Sequence, residues 1–500
     1  MNQPRKNRFG RWPTQAGNDD AGNAKNSLAE MYQRATDLMN DGNFGEAEAL
    51  LIRVVEGEPE NYYAAINLGY SQSALGKYPQ ATMTLEKAVV LQPEKAEPLY
   101  YLSRVHTTEY RYEQALALLE KAIDVQPSYL ESFFERAYVL DLAGRPEDAV
   151  LGYSDYLARV PGDAVALMNR GRNHNMLGNY RQGIADLKEA TAANPDLDGA
   201  WYLLGEGLAA ERDYEDAKEA YQKCLDLNPG HARAMVGRGF CEAMAGNDDD
   251  AEMDYARALE LEPELLSALQ HRGYLRLNQR RYQEALADLE MALAQFPEDL
   301  NALYNSAKCL YYMGQYAQAL DRWQKLERMT PADTGVLMGL ADTYERMGNN
   351  KQMEAACTRA IEAGPTYMHP YTKRGYYRFS KGDIEGAKQD YETALALDPS
   401  WTITYNNYVV LLFAQKQYEE GFAMLERAQQ VKPDMDYTCY NFACYYALHQ
   451  QPALALEWLE KAFRASPALQ GDAMGDTDLA SLRDDPHFKQ LLATNFEEVE

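Results

Sequence analysis

Apolar residues along this chain return at helical spacing in short bursts, not in long runs. Ala81, Leu85, Ala88 and Val89 share one face of one predicted helix, and Ala115, Leu118, Leu119 and Ala122 share one face of another. Helix stops stand between the bursts, at Asn43, Gly76-Lys77, Gly144-Arg145, Gly178-Asn179, Gly246-Asn247, Gly348-Asn349 and Gly382-Asp383. A proline closes each pair of bursts. It falls at Pro59, Pro93, Pro127, Pro161, Pro195, Pro229, Pro263, Pro297, Pro331, Pro365, Pro399, Pro433 and Pro467, every 34 residues without insertion or deletion. A fixed period of this length signals stacked repeats, each too small to bury its apolar face alone.

With slot 1 of the first unit at Leu28 and of the second at Tyr62, each of these prolines occupies slot 32. Slot 8 is then small in every unit except that of Val409, from Ala35 and Gly69 to Gly375 and Ala443. Slot 20 is alanine in ten units, with Gly183, Gly421 and Met353 as the departures, and slot 27 is mostly alanine. Small residues held at three slots predict close approach of helix to helix, where a larger side chain would overpack by ~1–3 kcal/mol. Each unit therefore reads as a helix, a short turn and a second antiparallel helix ended by proline. Asp196, Ser128, Ser400 and Asp434, just after the proline, are expected to cap the next helix.

The chain resembles tetratricopeptide repeat proteins. The residues that carry the likeness are Trp201, Leu204, Gly205, Tyr214, Ala217, Tyr221 and Pro229 in one unit, and Gly273, Tyr282, Ala285, Leu289, Ala292 and Pro297 in another. The resemblance implies an all-α fold, an α-solenoid in which tandem helix-turn-helix repeats wind into a right-handed superhelix, with peptide binding in the groove as the usual mode. It divides the chain into a basic disordered tail over 1–27, thirteen repeats over 28–469, and a capping helix segment with an acidic tail over 470–500. The tenth unit departs most, with Met353 and Cys357 at core slots and Asn350 where tyrosine is usual. Any bend or weak point is expected there. Beyond Pro467, residues 468–475 read as a linker. Pro486 suits a first helical position with Asp485 as its cap, and Phe488, Leu491 and Leu492 should cover the last hairpin.

Charge narrows the partners. The formal net charge is −27; residues 1–27 carry +3, so residues 28–500 carry −30. That field repels phosphate backbones, which argues against nucleic acid, and a basic or neutral polypeptide is easier to accommodate. No apolar run approaches the ~20 residues of a membrane span. The N-terminus, with Arg5, Lys6, Arg8 and Arg11, has no apolar signal region, and a cytoplasmic protein is expected. Six cysteines show no C-x-x-C pair and read as reduced core residues.

The units serve as their own alignment. Slot 7 is arginine at Arg136, Arg170, Arg238, Arg272 and Arg374, and slot 23 is aspartate at Asp186, Asp254, Asp288 and Asp390, always in an arginine-bearing unit. The two slots lie about equally far from the turn, which predicts the pairs Arg170–Asp186, Arg238–Asp254, Arg272–Asp288 and Arg374–Asp390 as clips across the hairpin.

Slots 5, 9 and 12 form a second face of the first helix. In the family this chain resembles, that face lines the concave groove. Here it holds Tyr70, Tyr100, Phe134, Tyr138, Tyr202, Phe240, Tyr274, Tyr304 and Tyr376, with Tyr32, Tyr311, Phe379, Phe413 and Tyr440 on the same slots. Such aromatics either clamp an extended chain or fill gaps between neighbouring helices. Slot 6 adds Asn67, Asn169, Asn305, Asn407 and Asn441, whose amides either grip a peptide backbone or are simply solvated.

No run of units supplies the lysine and asparagine pattern by which some co-chaperones hold an acidic chaperone tail. The histidines form no ligand spacing, and His106 and His174, both at slot 11, read as satisfied core residues. Phosphate-loop, dinucleotide and nucleophile-elbow motifs are not found. No metal or cofactor is expected, and no catalysis. The function that follows is a non-enzymatic scaffold receiving an extended segment of a partner protein in its groove. The alternatives are a substrate-presenting or regulatory subunit of a separate enzyme, such as a sugar transferase system, and a self-assembling array. Oligomeric state is not readable.

Overall fold

The computed structural model describes the backbone of residues 20–496 and the side chains of residues 27–496. Every unit is a helical hairpin. In the second unit the first helix is Tyr62–Ala74 and the second Tyr78–Leu91, and the same slots recur in the sixth, Asp198–Ala210 and Tyr214–Leu227. The first helix of the array is longer, Asp20–Asn40, and so begins ahead of Leu28. Among the described residues no helix is long and apolar enough to cross a membrane.

The turn inside each hairpin has one device. Slot 15 is left-handed in all units: Gly76 and Gly178 have φ 73° and 74°, but Tyr110, Arg212, Arg280, Lys416 and Gln450 hold φ 55–66° at the same slot. The strain is accepted because the left-handed residue lets its own amide and the next one satisfy carbonyls of the first helix, as Gly76 N–H donates to Ser73 O and Lys77 N–H to Gln72 O.

The small slots are small for the predicted reason. A Cβ on Gly69 would stand 2.5 Å from Leu85 Cγ, and one on Gly205 2.7 Å from Tyr221 Cε1. Ala81, Leu85, Ala115, Leu119, Ala137, Tyr153 and Leu187 form part of a continuous buried strip along the hairpins.

The helix caps correct the expectation by one slot. Caps sit at slot 34, where Asn61 accepts from Ala64 N–H, Asp163 from Val165 and Ala166 N–H, and Asp333 from Val336 N–H. Slot 33 still belongs to the proline turn: Asp196 and Ser400 N–H donate back to Asn194 and Asp398, and Asp434 N–H to Gln429. Ser128 likewise lies in the turn.

The chain divides into two compact units between Ala268 and Leu269, inside the eighth repeat. The tenth repeat forms both helices, with Met353 and Cys357 buried and their sulfurs 3.8 Å apart. After Pro467 the expected linker is instead a short helix, Leu469–Gly475, which buries Leu469 and Ala473. A last helix, Pro486–Ala493, is capped by Asp485, and Phe488 and Leu491 pack in one cluster with Phe463 and Phe442. All six cysteines are free and buried.

Candidate functional site

Arginine and aspartate meet across four hairpins. Arg170 donates Nε to Asp186 Oδ2 at 2.7 Å and Nη2 to Oδ1 at 2.6 Å, and Arg272 grips Asp288 in the same fork at 2.9 and 2.6 Å. Arg238 and Asp254 repeat it, with Nε to Oδ2 at 2.8 Å, as do Arg374 and Asp390. Three of these four guanidinium groups also reach out of their own repeat. Arg170 Nη1 donates to Ser154, Arg238 Nη1 to Gln222 and Arg374 Nη1 to Thr358, all slot 25 of the preceding repeat. These side chains are thus staples between repeats as well as within them. In the fourth repeat slot 23 is Gly152, and Arg136 turns to Asp155 at 3.2 Å. Slot 11 joins the cluster in some repeats: Arg276 donates to Asp288 at 2.9 Å and Arg378 to Asp390 at 3.1 Å. His174 stands 4.0 Å from Asp186. His106 and His174 are not satisfied core residues, since Nδ1 of each is buried with no hydrogen-bond partner in the protein.

The aromatic face separates by slot. Slot 5 turns toward neighbouring helices: Tyr100 is buried edge-on against Tyr101 and Tyr129, Phe134 packs on Tyr153 and Tyr156, and Tyr304 on Trp323 at 5.0 Å. Tyr202 lies over His231 and donates its hydroxyl to Glu206 at 2.6 Å. Tyr32 accepts from Asn67 of the next repeat, and Tyr440 donates to Asp476. Slot 9 divides. Tyr70 and Phe240 are half-buried against Tyr101 and Tyr214, whereas Tyr138, Tyr274 and Tyr376 are 36%, 51% and 56% exposed.

Three of the five slot-6 asparagines depart from both earlier readings. Asn67, Asn169 and Asn441 are buried, neither solvated nor presented to a ligand; Asn441 donates to Asn406 Oδ1 at 3.3 Å. Asn305 and Asn407 are half-buried.

A feature of this face went unread in the sequence. Asp141 and Arg172, 31 residues apart, pair between the fourth and fifth repeats. The same separation joins Arg104 to Glu135 at 3.8 Å and Asp342 to Lys373 at 3.0 Å. Opposite charges one repeat less three residues apart were the available signal, because that spacing brings consecutive first helices level.

Lys373 lies in a concavity of this face, a pocket of about 560 Å³ lined by repeats ten to twelve. From the tenth come Met338, Asp342, Glu345 and Tyr367; from the eleventh His369, Thr372, Lys373, Tyr376 and Trp401; from the twelfth Ile403 and Asn407. Lys373 donates to Glu345 at 2.5 Å and pairs with Asp342. Burial pulls the Lys373 ammonium down, but the two carboxylates outweigh it and hold the group charged. Burial lowers His369 against the opposing pull of Asp342 and Asp398, so its imidazole is neutral near pH 7. His369 stands edge-on to Trp401 at 4.6 Å and to Tyr367 at 5.0 Å. Of the predicted groove residues, Tyr376 and Asn407 lie here. The arrangement offers π faces and carboxylate acceptors and contains no nucleophile paired with a base.

A second concavity, about 580 Å³, lies among Lys218, Gln222, Arg238, Glu242, Asp254 and Arg257. Its charges are balanced, and Arg238 and Asp254 are already committed to each other.

Tandem two-helix repeats with small residues at the helix crossings define an α-helical repeat array. The tetratricopeptide repeat pattern matches residues 32–96, 110–164, 169–217, 202–264 and 307–367, with further matches over 276–333 and 369–400. The chain belongs to the tetratricopeptide repeat family. It is 27% identical over 149 residues to the type IV pilus assembly protein PilF of Pseudomonas aeruginosa, a match covering 29% of this chain and 58% of that protein. It is 33% identical over 83 residues to the small glutamine-rich tetratricopeptide repeat-containing protein 2 of Mycosarcoma maydis, covering 17% of this chain and 24% of that one. The matched segments therefore span under two thirds of the first relative and about a quarter of the second. Among solved structures, the APC/C hetero-tetramer Cut9-Hcn1 aligns at TM-score 0.42 and 14% identity over 93% of this chain and 96% of that one.

Proposed function

We propose that this protein is a non-enzymatic scaffold that receives an extended segment of a partner polypeptide along the first-helix face. Tetratricopeptide repeats mediate protein–protein interaction; the choice of face is the proposal. It is carried by one observation: Tyr138, Tyr274 and Tyr376 remain 36–56% exposed on a slot whose other aromatics, Tyr70 and Phe240, are half-buried against neighbouring rings. Large rigid rings with a hydroxyl bind a passing chain at low entropic cost. The net charge of −27 supports a neutral or basic segment, steered in at low salt. A cytoplasmic location is part of the reading, supported by six free cysteines held in the core.

The test is affinity capture with the intact chain and with a Tyr138→Ala, Tyr274→Ala, Tyr376→Ala variant. Phe240 is left alone because it packs on Tyr214, and its loss would test folding instead. The expected result is partner loss or weakening of tenfold or more, on the order of one hot-spot residue. Equal recovery by both chains rejects the face. Affinity indifferent to ionic strength would remove steering from the account.

A further inference from the structure

The pocket of repeats ten to twelve has a composition that selects among ligands, and this inference rests on the scaffold reading above. Two of its three charged groups are acceptors. Asp342 and Glu345 are 41% and 40% exposed, and together they hold a single cation, Lys373, which is only 20% exposed. With His369 neutral, the three charged groups leave one net negative charge facing the cavity. Tyr367, Tyr376 and Trp401 supply π faces to the same space.

An anionic side chain entering here would meet two carboxylates before the lysine that they enclose. A purely apolar one would strip water from both carboxylates and return no hydrogen bond. A cation satisfies both the acceptors and the rings. Arginine suits them better than lysine, because its planar guanidinium stacks on an aromatic face while its edge donates to a carboxylate, and it sheds water more readily. The volume, about 560 Å³, holds a long side chain with a stretch of its backbone, and the Asn407 amide lines the same cavity.

We propose that this pocket takes an arginine side chain of the partner polypeptide, its guanidinium against the Tyr376 and Trp401 rings and its N–H groups donating to Asp342 and Glu345. The pocket thereby places a basic residue of the bound segment opposite repeats ten to twelve.

The probes are N-acetyl-arginine methylamide and its lysine, citrulline and glutamate counterparts, titrated against the full chain by ligand-observed saturation-transfer NMR. The expected result is transfer to the arginine side-chain protons with a millimolar dissociation constant, about threefold or more weaker for lysine and citrulline, and none for glutamate. Tyr376→Ala, at a ring 56% exposed and so without consequence for folding, should weaken arginine about threefold or more, and Asp342→Asn should do likewise. Citrulline or glutamate binding as well as arginine overturns the proposal. So does unchanged affinity in both variants, or no arginine binding to the intact chain. Arginine binding without any captured partner would count against the scaffold reading alone. Partner capture that survives in Tyr376→Ala, with arginine not bound, would count against the pocket alone.

Discussion

Arg374 and Asp390 meet across the eleventh hairpin, Nε to Oδ2 at 3.0 Å and Nη2 to Oδ1 at 2.7 Å, with a carboxylate only 3% exposed. Arg374→Ala leaves that carboxylate to Arg378 alone, and the expected cost is about 3 kcal/mol. The double variant Arg374→Met, Asp390→Leu should lose less, because the buried carboxylate goes with its partner and Arg378 keeps Glu354 and Asp383 nearby. Denaturant midpoints read both, with hydrogen exchange locating the loss in repeats ten and eleven. A single variant as stable as the parent would show that the clip contributes nothing.

Gly339 is small because of Trp323: a Cβ there would lie 2.6 Å from the indole. Gly339→Ala should cost ~1–3 kcal/mol by overpacking. Gly471, in the helix Leu469–Gly475 with nothing within 4 Å of its Cβ position, is the control, and its replacement by alanine should stabilise by up to ~1 kcal/mol. Opposite signs in thermal unfolding are the outcome to look for; matching signs would refute the contact argument.

Phe488 is 2% exposed and packs on the end of the array. Phe488→Ala should cost ~3–5 kcal/mol. Because each repeat contacts only its neighbours, hydrogen exchange should rise in the thirteenth repeat and leave the first six unchanged. Uniform loss of protection would mean that the array unfolds as one body.

His174 lies below its usual 6.5, mainly through burial and also through Arg170, with Asp186 opposing. A folded value below the unfolded one means that the unfolded chain takes the proton first. The stability from the neutral ring is therefore fully present above about pH 6.5 and is lost as pH falls through that value toward the folded pKa. NMR titration of the imidazole checks it, and a midpoint at or above 6.5 in the folded protein would reverse the sign.

Much of the fold was legible because its determinants are local and repeat. Small slots such as Gly69 and Gly205, the turn glycines and the prolines act within one hairpin, and thirteen copies turn a weak signal into a clear one. The pairing of slots 7 and 23 was legible for the same reason, since Arg170 and Asp186 are 16 residues apart on one hairpin. The caps were read one slot early because proline and its successor form a single turn. Tyr110 and Arg212 hid their left-handed backbone because nothing about a tyrosine or arginine side chain announces it.

The candidate site divides along that same line. The chain by itself determined which residues share the first-helix face, since periodicity alone places slots 5, 6, 9 and 12. Only the tertiary structure decided which of them are available. Tyr100 is covered by Tyr129 and Tyr304 by Trp323, Asn67 is turned inward onto Tyr32, and Tyr376 is left open beside Asp342 and Trp401. Exposure at a slot depends on what the adjacent helices bring against it, and those side chains differ from repeat to repeat while the backbone does not.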